Sequence, residues 1–177
     1  MNTIIETKRL ILRPVSMADA QDFYEMDSNP NVHKYLGNNP IKTIGQSKLW
    51  IEDILEQYQE FNIGRLAVIK KDTNEFLGWS GLKYERQLRE EFNYYDIGYR
   101  FKEKHWGNGY ATESAIASLQ FGFNDLKLKK ICAAADVNHT ASNHILKKIG
   151  LQHSGTFTYE NERCNWYVIT DPSLTLP

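Results

Sequence analysis

The segment Trp106-Gly107-Asn108-Gly109-Tyr110-Ala111-Thr112 decides the fold, because it separates two stretches of different hydrophobic period. Before it, residues 93–101 alternate as a strand does, with one face formed by Tyr95, Ile97, Tyr99 and Phe101. After it, apolar residues recur at helical spacing from Ala111 to Phe123. Residues 128–137 then form a continuous apolar run, as a strand buried on both faces does. This order of strand, helix and strand favours a right-handed parallel crossover.

The segments on either side predict an α+β domain with a mixed, mostly antiparallel sheet. Ser16 and Asp19 have the spacing of a capping box at a helix start, and Gly150 is placed as the residue that ends a helix. Short turns, such as residues 71–74 and 85–91, require antiparallel neighbours. Helices are predicted at 16–26, after Thr43 and near 145–149, and further strands at 9–13, 65–69, 76–82, 154–159 and 165–169.

Length and composition indicate one domain, residues 1–177, of a soluble globular protein. The hydrophobic fraction is 41% and the charged fraction 24%, which argues against a disordered, fibrous or membrane protein. The net charge of −1 gives no basic excess, so a nucleic-acid partner is not expected.

Two cysteines and the absence of a recognisable signal segment predict a cytoplasmic protein. The histidines lack metal-ligand spacing, so no metal is predicted.

Residues 106–112 also carry the clearest chemical signal, since they lie between a strand and the start of a helix. Backbone N–H groups at a helix start have no intrahelical acceptor, and the helix dipole adds positive charge there. Small residues let a phosphate approach the backbone, so the loop predicts an anion site, most naturally for a pyrophosphate. The alternative is that Gly107 and Gly109 only form a turn. The segment lacks the Lys of a Walker loop and the third glycine of a dinucleotide fingerprint.

Four motifs together resemble the GNAT superfamily of N-acetyltransferases, in particular its RimJ/RimL-type branch. They are Asp96-Ile97-Gly98-Tyr99, His105 to Glu113, Ala141-Ser142-Asn143 and Leu146 to Leu151. The opening Thr7 to Pro14 and Asp19 also resemble that branch. The resemblance covers about residues 7–169 and implies a GNAT-like twisted sheet of about seven strands with about four helices.

The resemblance implies that acetyl-CoA binds as co-substrate between the fourth and fifth strands, a parallel pair that splays apart. The pantetheine arm is then expected on the backbone of Tyr99, Arg100 and Phe101. The pyrophosphate is expected on Trp106, Gly107, Asn108, Gly109, Tyr110, Ala111 and Thr112. Trp106 stands where many members have Arg or Gln. On the following helix, the resemblance places Asn143 and Lys147 toward the nucleotide, and a solvated helix face is the alternative.

Acetyl transfer to an amine needs a group that removes a proton from the amine and a group that protonates the leaving thiolate. An amine of pKa about 10 is neutral in about one molecule in a thousand at pH 7. The resemblance points to Asp96 as the base, with Asp136 as a rival, whereas Glu113 fits better as a partner of the helix dipole.

For the acid, the resemblance implies Ser142, whose alternative role is a helix N-cap. Tyr159 is a further candidate acid. Asn138 resembles the Asn of the family's Asn-x-x-Ser pattern, but it lies four residues before Ser142, and His139 occupies the usual place.

The sequence therefore predicts an N-acetyltransferase that moves the acetyl group to a primary amine by direct attack in a ternary complex. The amine is either a protein N-terminus or a small molecule. A non-catalytic acyl-CoA-binding sensor domain is the alternative. No nucleic-acid or membrane partner is expected, and a homodimer is one alternative for the oligomeric state.

Overall fold

The computed structural model describes residues 3–89 and 91–171, so residue 90 of the predicted turn 85–91 lies outside the described part. The helices are α1 (Ala20–Asp27), α2 (Pro30–His33), α3 (Ile44–Phe61), α4 (Tyr110–Asn124) and α5 (Thr140–Lys148). The strands are β1 (Ile5–Glu6), β2 (Leu10–Pro14), β3 (Arg65–Lys70), β4 (Phe76–Glu85), β5 (Tyr94–Phe101), β6 (Lys130–Asp136), β7 (Gln152–Tyr159) and β8 (Glu162–Thr170).

The eight strands form one sheet in the order β1-β2-β3-β4-β5-β6-β8-β7. Every neighbouring pair is antiparallel except β5 and β6, which are parallel and joined through α4. The predicted α+β class and mixed sheet are confirmed. The described residues contain one strand and one helix more than the expected seven and four. Two of these elements, β1 and α2, are too short to show a hydrophobic period.

Local sequence signals fix the ends of several elements. Thr43 and Gln46 form a reciprocal capping box at the start of α3. Ser16 and Asp19 form the predicted capping box as well, but it opens a short 3-10 turn, Met17–Asp19, before α1 begins. Strand β2 runs through Pro14, which the sequence placed as its stop. This is tolerated because β1 pairs only with Ile11 and Leu12, so the missing N–H of Pro14 costs no bond on that side.

Side chains alternate across the sheet and pack against different helices on its two faces. From β3, Leu66 and Val68 join a buried cluster with Tyr110 of α4, whereas Ala67 and Ile69 join Phe23 of α1 and Ile51 of α3. Helices α4 and α5 therefore cover one face, and α1 and α3 cover the other. No helix in the described residues is long and apolar enough to cross a membrane.

The parallel strands β5 and β6 meet at a single pair, Asp96 with Cys132. Beyond that pair the two strands diverge toward their carboxyl ends, which leaves the main chain of residues 97–101 without a strand on that side. Cys132 itself is buried with Tyr94 and Trp166, and burial raises the pKa of its thiol to about 11. It is a core residue, in agreement with the buried strand predicted from the apolar run 128–137. The divergence opens a cleft through the sheet beside the start of α4.

Candidate active site

The loop between β5 and α4 presents backbone N–H groups to the cleft. Gly107 and Gly109 adopt left-handed conformations, with φ of 77° and 79°, and Gly109 is the N-cap of α4. A β-carbon at Gly107 would meet nothing within 4 Å, so this part of the loop borders open space. The conformation requires glycine because other residues are strained there.

The amides of residues 107–112 are the donors that this geometry leaves free. Glu113 is the first residue of α4 whose N–H reaches back, to the carbonyl of Gly109 at 3.0 Å. Within the described part of the chain, the six preceding N–H groups donate to no protein acceptor. Six unpaired amides at the positive end of a 15-residue helix have the geometry that favours an anion, so the predicted pyrophosphate site stays a prediction that this geometry supports.

Residues of the connection between β1 and β2 brace this loop. Glu113 accepts hydrogen bonds from Thr7 Oγ1 at 2.6 Å, from Arg9 N at 3.0 Å and from Arg9 Nε at 2.7 Å. Arg9 also donates to the carbonyl of Asn108 at 3.0 Å. Burial alone would raise the pKa of the Glu113 carboxyl, but these hydrogen bonds outweigh it and lower the pKa. Glu113 thus ties the sheet edge to the loop, in addition to its predicted place at the helix dipole.

Two side chains of the loop donate hydrogen bonds to nearby main-chain carbonyls. The Trp106 indole N–H donates to the carbonyl of Phe101 at 2.9 Å, and Asn108 Nδ2 donates to the carbonyls of His105 and Trp106 at 3.1 Å. Of the main-chain groups predicted to pair with a pantetheine arm, the carbonyl of Phe101 is therefore already occupied. Tyr99 and Arg100 pair with β4 on one side but lie on the diverging part of β5, where β6 does not pair with them on the other side.

Ser142 lies where the cleft meets α5. His139 is the N-cap of α5, so Ser142 is the third residue of the first turn and not the cap that the sequence allowed. The Tyr99 hydroxyl donates to the carbonyl of Ser142 at 3.2 Å and lies 3.3 Å from Ser142 Oγ. Burial raises the pKa of Tyr99 to about 12, so its hydroxyl keeps its proton at neutral pH. Sequence reasoning considered only the backbone of Tyr99 and missed this hydroxyl pair.

The side chain of Asn143, which was expected to face the nucleotide, is hydrogen-bonded within the fold, and its contact with the nucleotide stays a prediction. Its side chain is buried, and its amide nitrogen donates to the carbonyls of Asp136 and His139 at 2.8 and 2.9 Å. Its amide oxygen accepts from Asn165 and Tyr167 at 2.8 and 2.7 Å. All four hydrogen-bonding positions of the amide are satisfied, so Asn143 joins α5 to β6 and β8. Lys147 is exposed in the last turn of α5, and its contact with the nucleotide stays a prediction.

The connection between β6 and α5 holds the remaining candidates. Asp136 Oδ1 accepts from the Asn138 main-chain N–H at 2.7 Å, and the Asn138 side chain is exposed. Tyr159 lies farther away in the fold, at the turn between β7 and β8, where it is paired with Glu162. The catalytic assignment of Asn138 stays a prediction.

Asp96 lies on the opposite face from Ile97 and Tyr99, as the alternation predicted, but its carboxylate is not free. It forms a close ion pair with Arg65 Nη2, and Arg65 Nη1 donates to the main-chain carbonyl of Asp96 at 3.0 Å. Gly98 makes room for this pair, since a β-carbon there would lie 2.8 Å from the guanidinium. Burial raises the pKa of the Asp96 carboxyl, and the Arg65 charge opposes that rise. A base held this way must first leave Arg65, so the structure disagrees with the simple base role.

On the same face, a cavity of about 460 Å³ lies between α3 and strands β3 to β5. The guanidinium carbons of Arg65 and Arg100 lie 5.1 and 5.2 Å from the centre of the Trp79 ring. Arg100 is paired with the fully buried Asp27 at 2.8 Å. This cavity lies on the sheet face covered by α1 and α3, whereas the 107–112 loop leads into α4 on the other face.

The chain matches the family model described as "Acetyltransferase (GNAT) domain" over residues 9–152. It is 33% identical over 164 residues to an uncharacterised N-acetyltransferase, YoaA, of Bacillus subtilis, which covers 91% of each chain. A GNAT-family acetyltransferase of Bacillus anthracis has 25% identity and a TM-score of 0.78, and the match covers 96% of this chain and 99% of that one. RimL, a ribosomal α-N-protein acetyltransferase solved with coenzyme A, has 16% identity and a TM-score of 0.79, over 95% and 98% of the two chains.

Proposed function

The chain belongs to the acetyltransferase (GNAT) family, and on that premise we propose that it transfers the acetyl group of acetyl-CoA to a primary amine in a ternary complex. The observation that carries the proposal is the row of unpaired amides at residues 107–112, beside the point where β5 and β6 diverge. A fold with two binding regions joined by one cleft allows both substrates to be bound at once. Direct attack then needs no acyl-enzyme intermediate, and the buried Cys132 is not suited to form one.

The residues of the cleft fit the parts of acetyl-CoA. The 107–112 amides would hold the pyrophosphate, and the uncovered main chain of Tyr99 and Arg100 would hold the pantetheine arm. Lys147 would lie toward the nucleotide. When bound, acetyl-CoA supplies an acetyl group activated as a thioester.

The chain's own hydroxyl groups supply the acid. Ser142 Oγ and the Tyr99 hydroxyl lie 3.3 Å apart at the cleft, so a proton leaving Ser142 can be replaced from Tyr99. Both are neutral donors at pH 7, since burial raises the pKa of Tyr99. This pair would protonate the sulfur as it leaves, a role that matters in the transition state more than in the ground state.

Within the family, the chain is assigned to the RimJ/RimL-type branch. It is supported by the opening Thr7 to Pro14, whose Thr7 and Arg9 brace the CoA loop through Glu113, and by the shared fold with RimL. The acceptor is then a protein N-terminus or a small amine.

Release of free thiol from acetyl-CoA, measured with a panel of N-terminal peptides, polyamines, amino acids and aminoglycosides, tests the function. We expect turnover with at least one class, and CoA binding by calorimetry without any amine. Tight binding of acetyl-CoA without turnover across the panel would favour the sensor domain. An absence of CoA binding by the folded protein would overturn both functions.

A further inference from the structure

A ring contact joins the two faces of the sheet at the cleft. Tyr35 lies in the connection from α2 to α3, which belong to the face with the 460 Å³ cavity. His139 is the N-cap of α5 on the other face. Their rings stack with centres 4.5 Å apart and planes inclined by 18°. Elements from opposite faces can make this contact only beyond the carboxyl ends of the diverging strands. The stacked rings therefore lie at the cleft end of the sheet, where an amine would meet the thioester.

The imidazole of His139 is suited to accept a proton there. It is half-buried, and burial lowers its pKa, while the nearby Asp136 carboxylate opposes that fall. Neither ring nitrogen has a hydrogen-bond partner among the described residues. The other groups that face it are the Tyr35 phenol and, beyond that ring, Lys34, whose Nζ lies 5.3 Å from the ring centre. A neutral imidazole with free ring nitrogens is a ready base near pH 7.

The alternative base is less available. The Asp96 carboxylate is bound to Arg65, and both side chains are nearly buried, at 13% and 11% exposure. His139 lies in the same helical turn as Ser142, three residues earlier, so the cleft brings a free base close to the hydroxyl pair.

We propose that His139 is a catalytic residue that accepts the proton of the substrate ammonium, an inference that rests on the proposed acetyl transfer. One ammonium proton passes to the imidazole and then to solvent. The freed nitrogen lone pair forms the N–C bond to the acetyl carbon, and the C–S bond breaks with its electron pair on sulfur. The Ser142–Tyr99 pair delivers one proton to sulfur, and the second proton, which leaves the nitrogen as the amide forms, restores that pair through solvent. Arg65 and Asp96 then position the strand beside the cleft.

The first test is the pH profile of kcat/KM from pH 5.5 to 9.5 for the wild type, His139→Asn and His139→Gln, with an amine of pKa about 10. Asn is a favoured N-cap residue, so His139→Asn keeps the start of α5. His144→Gln, an exposed change on the same helix, is the matched control. Circular dichroism and CoA affinity establish that each variant is folded and binds its co-substrate.

The wild type should show a plateau above the pKa of His139 and fall below it. In both His139 variants kcat/KM should drop about 100- to 1,000-fold at pH 7 and rise tenfold per pH unit, because only amine that is already neutral reacts. The His144→Gln profile should match the wild type. A plateau retained in either His139 variant overturns the proposal, as does a tenfold rise per unit in the wild type itself.

A second readout needs no turnover. The imidazole signals of the free protein, assigned to His139 by comparison with His139→Asn, should titrate by NMR below the ordinary histidine pKa of about 6.5. A His139 pKa above 7 overturns the base role. Failure of the wild type to acetylate any amine would instead count against the proposed function.

Discussion

At the scale of single residues, the cleft gives Ser142 a role different from that of a helix cap. A cap serine accepts hydrogen bonds from the first turn of its helix, whereas His139 holds the cap position of α5 and Ser142 Oγ lies against Tyr99. Loss of this hydroxyl would therefore remove the proposed proton donor while the helix start stays intact.

We predict that Ser142→Ala lowers kcat at least tenfold while the affinity for CoA changes by less than a few-fold. The ground state is held by amides and main chain, whereas thiolate protonation belongs to the transition state. The melting temperature should stay close to that of the wild type. Kinetics, calorimetry and thermal melting on this one variant decide the point. A lower melting temperature, by the about 1 kcal/mol typical of a lost cap, with normal turnover would show a structural serine.

Asp96→Asn should act on stability before it acts on proton transfer. The change leaves the Arg65 guanidinium nearly buried without its charged partner, and a broken buried pair costs about 3 kcal/mol. Urea unfolding should show this loss, and the double variant Arg65→Gln/Asp96→Asn should recover part of it. The shape of the pH–rate profile should stay that of the wild type. A profile that loses its acidic limb in Asp96→Asn would return the base role to Asp96.

At the scale of elements, the decisive contact is between the β5–α4 loop with the start of α4 and the connection between β1 and β2. The loop needs glycine at positions with left-handed backbone, and Glu113 with Thr7 and Arg9 fixes its position relative to β2. Because the six amides are held in place before any ligand arrives, little ordering cost is added on binding.

Gly109→Glu should weaken CoA binding at least about 100-fold, since it adds a carboxylate where a pyrophosphate is expected. It also strains the backbone by about 1–2 kcal/mol at φ 79°. Gly155→Glu is the matched control, because Gly155 also has positive φ, at 105°, in open space on β7. Calorimetry should show normal CoA affinity for the control. Equal affinities of the two variants would mean that the loop is not the anion site.

At the scale of the whole molecule, partly buried carboxylates make stability depend on pH. Asp19 with Arg13, Glu85 with Lys83 and the turn amides, and Glu113 with Arg9 all have lowered pKa values, because these partners outweigh the effect of burial. A carboxyl whose pKa is lower in the folded state stabilises the fold above its unfolded pKa, and this contribution is lost as the pH falls through its folded pKa. The pKa of Asp96 is raised, so the titration of this carboxyl favours the folded state as the pH falls.

We therefore expect the free energy of unfolding to be nearly constant from pH 6 to 8 and to fall below about pH 4.5, near the ordinary pKa of a carboxyl. Glu113→Gln should cost about 2 kcal/mol at pH 7, and its difference from the wild type should shrink below pH 4. Urea midpoints across this range measure both effects. Glu52→Gln, an exposed change on α3, should show no such pH-dependent difference. A Glu113→Gln deficit that persists unchanged at pH 3 would contradict the assignment.

Much of this protein follows from local sequence patterns. The period change at residues 106–112, the helix start after Thr43 and the helix stop at Gly150, where φ is 100°, are signals within a few residues, and the structure confirms each. Local conformation and face are set by neighbouring residues and by the period of apolar side chains. The α+β class, the parallel crossover and the free amides at the start of α4 were therefore predictable.

Only the tertiary structure decided which side chains contact the candidate catalytic and binding residues. Arg65 and Asp96 are 31 residues apart in the sequence. They pair because β3 and β5 both flank β4 in the sheet, and because Gly98 leaves space for the guanidinium. Asn143 is enclosed by β6 and β8, and Tyr35 meets His139 because β5 and β6 diverge after one pair. Strand order and the point of divergence depend on packing across the whole sheet, which no local period encodes. The sequence by itself determined which groups could act, and the fold decided which of them are free to do so.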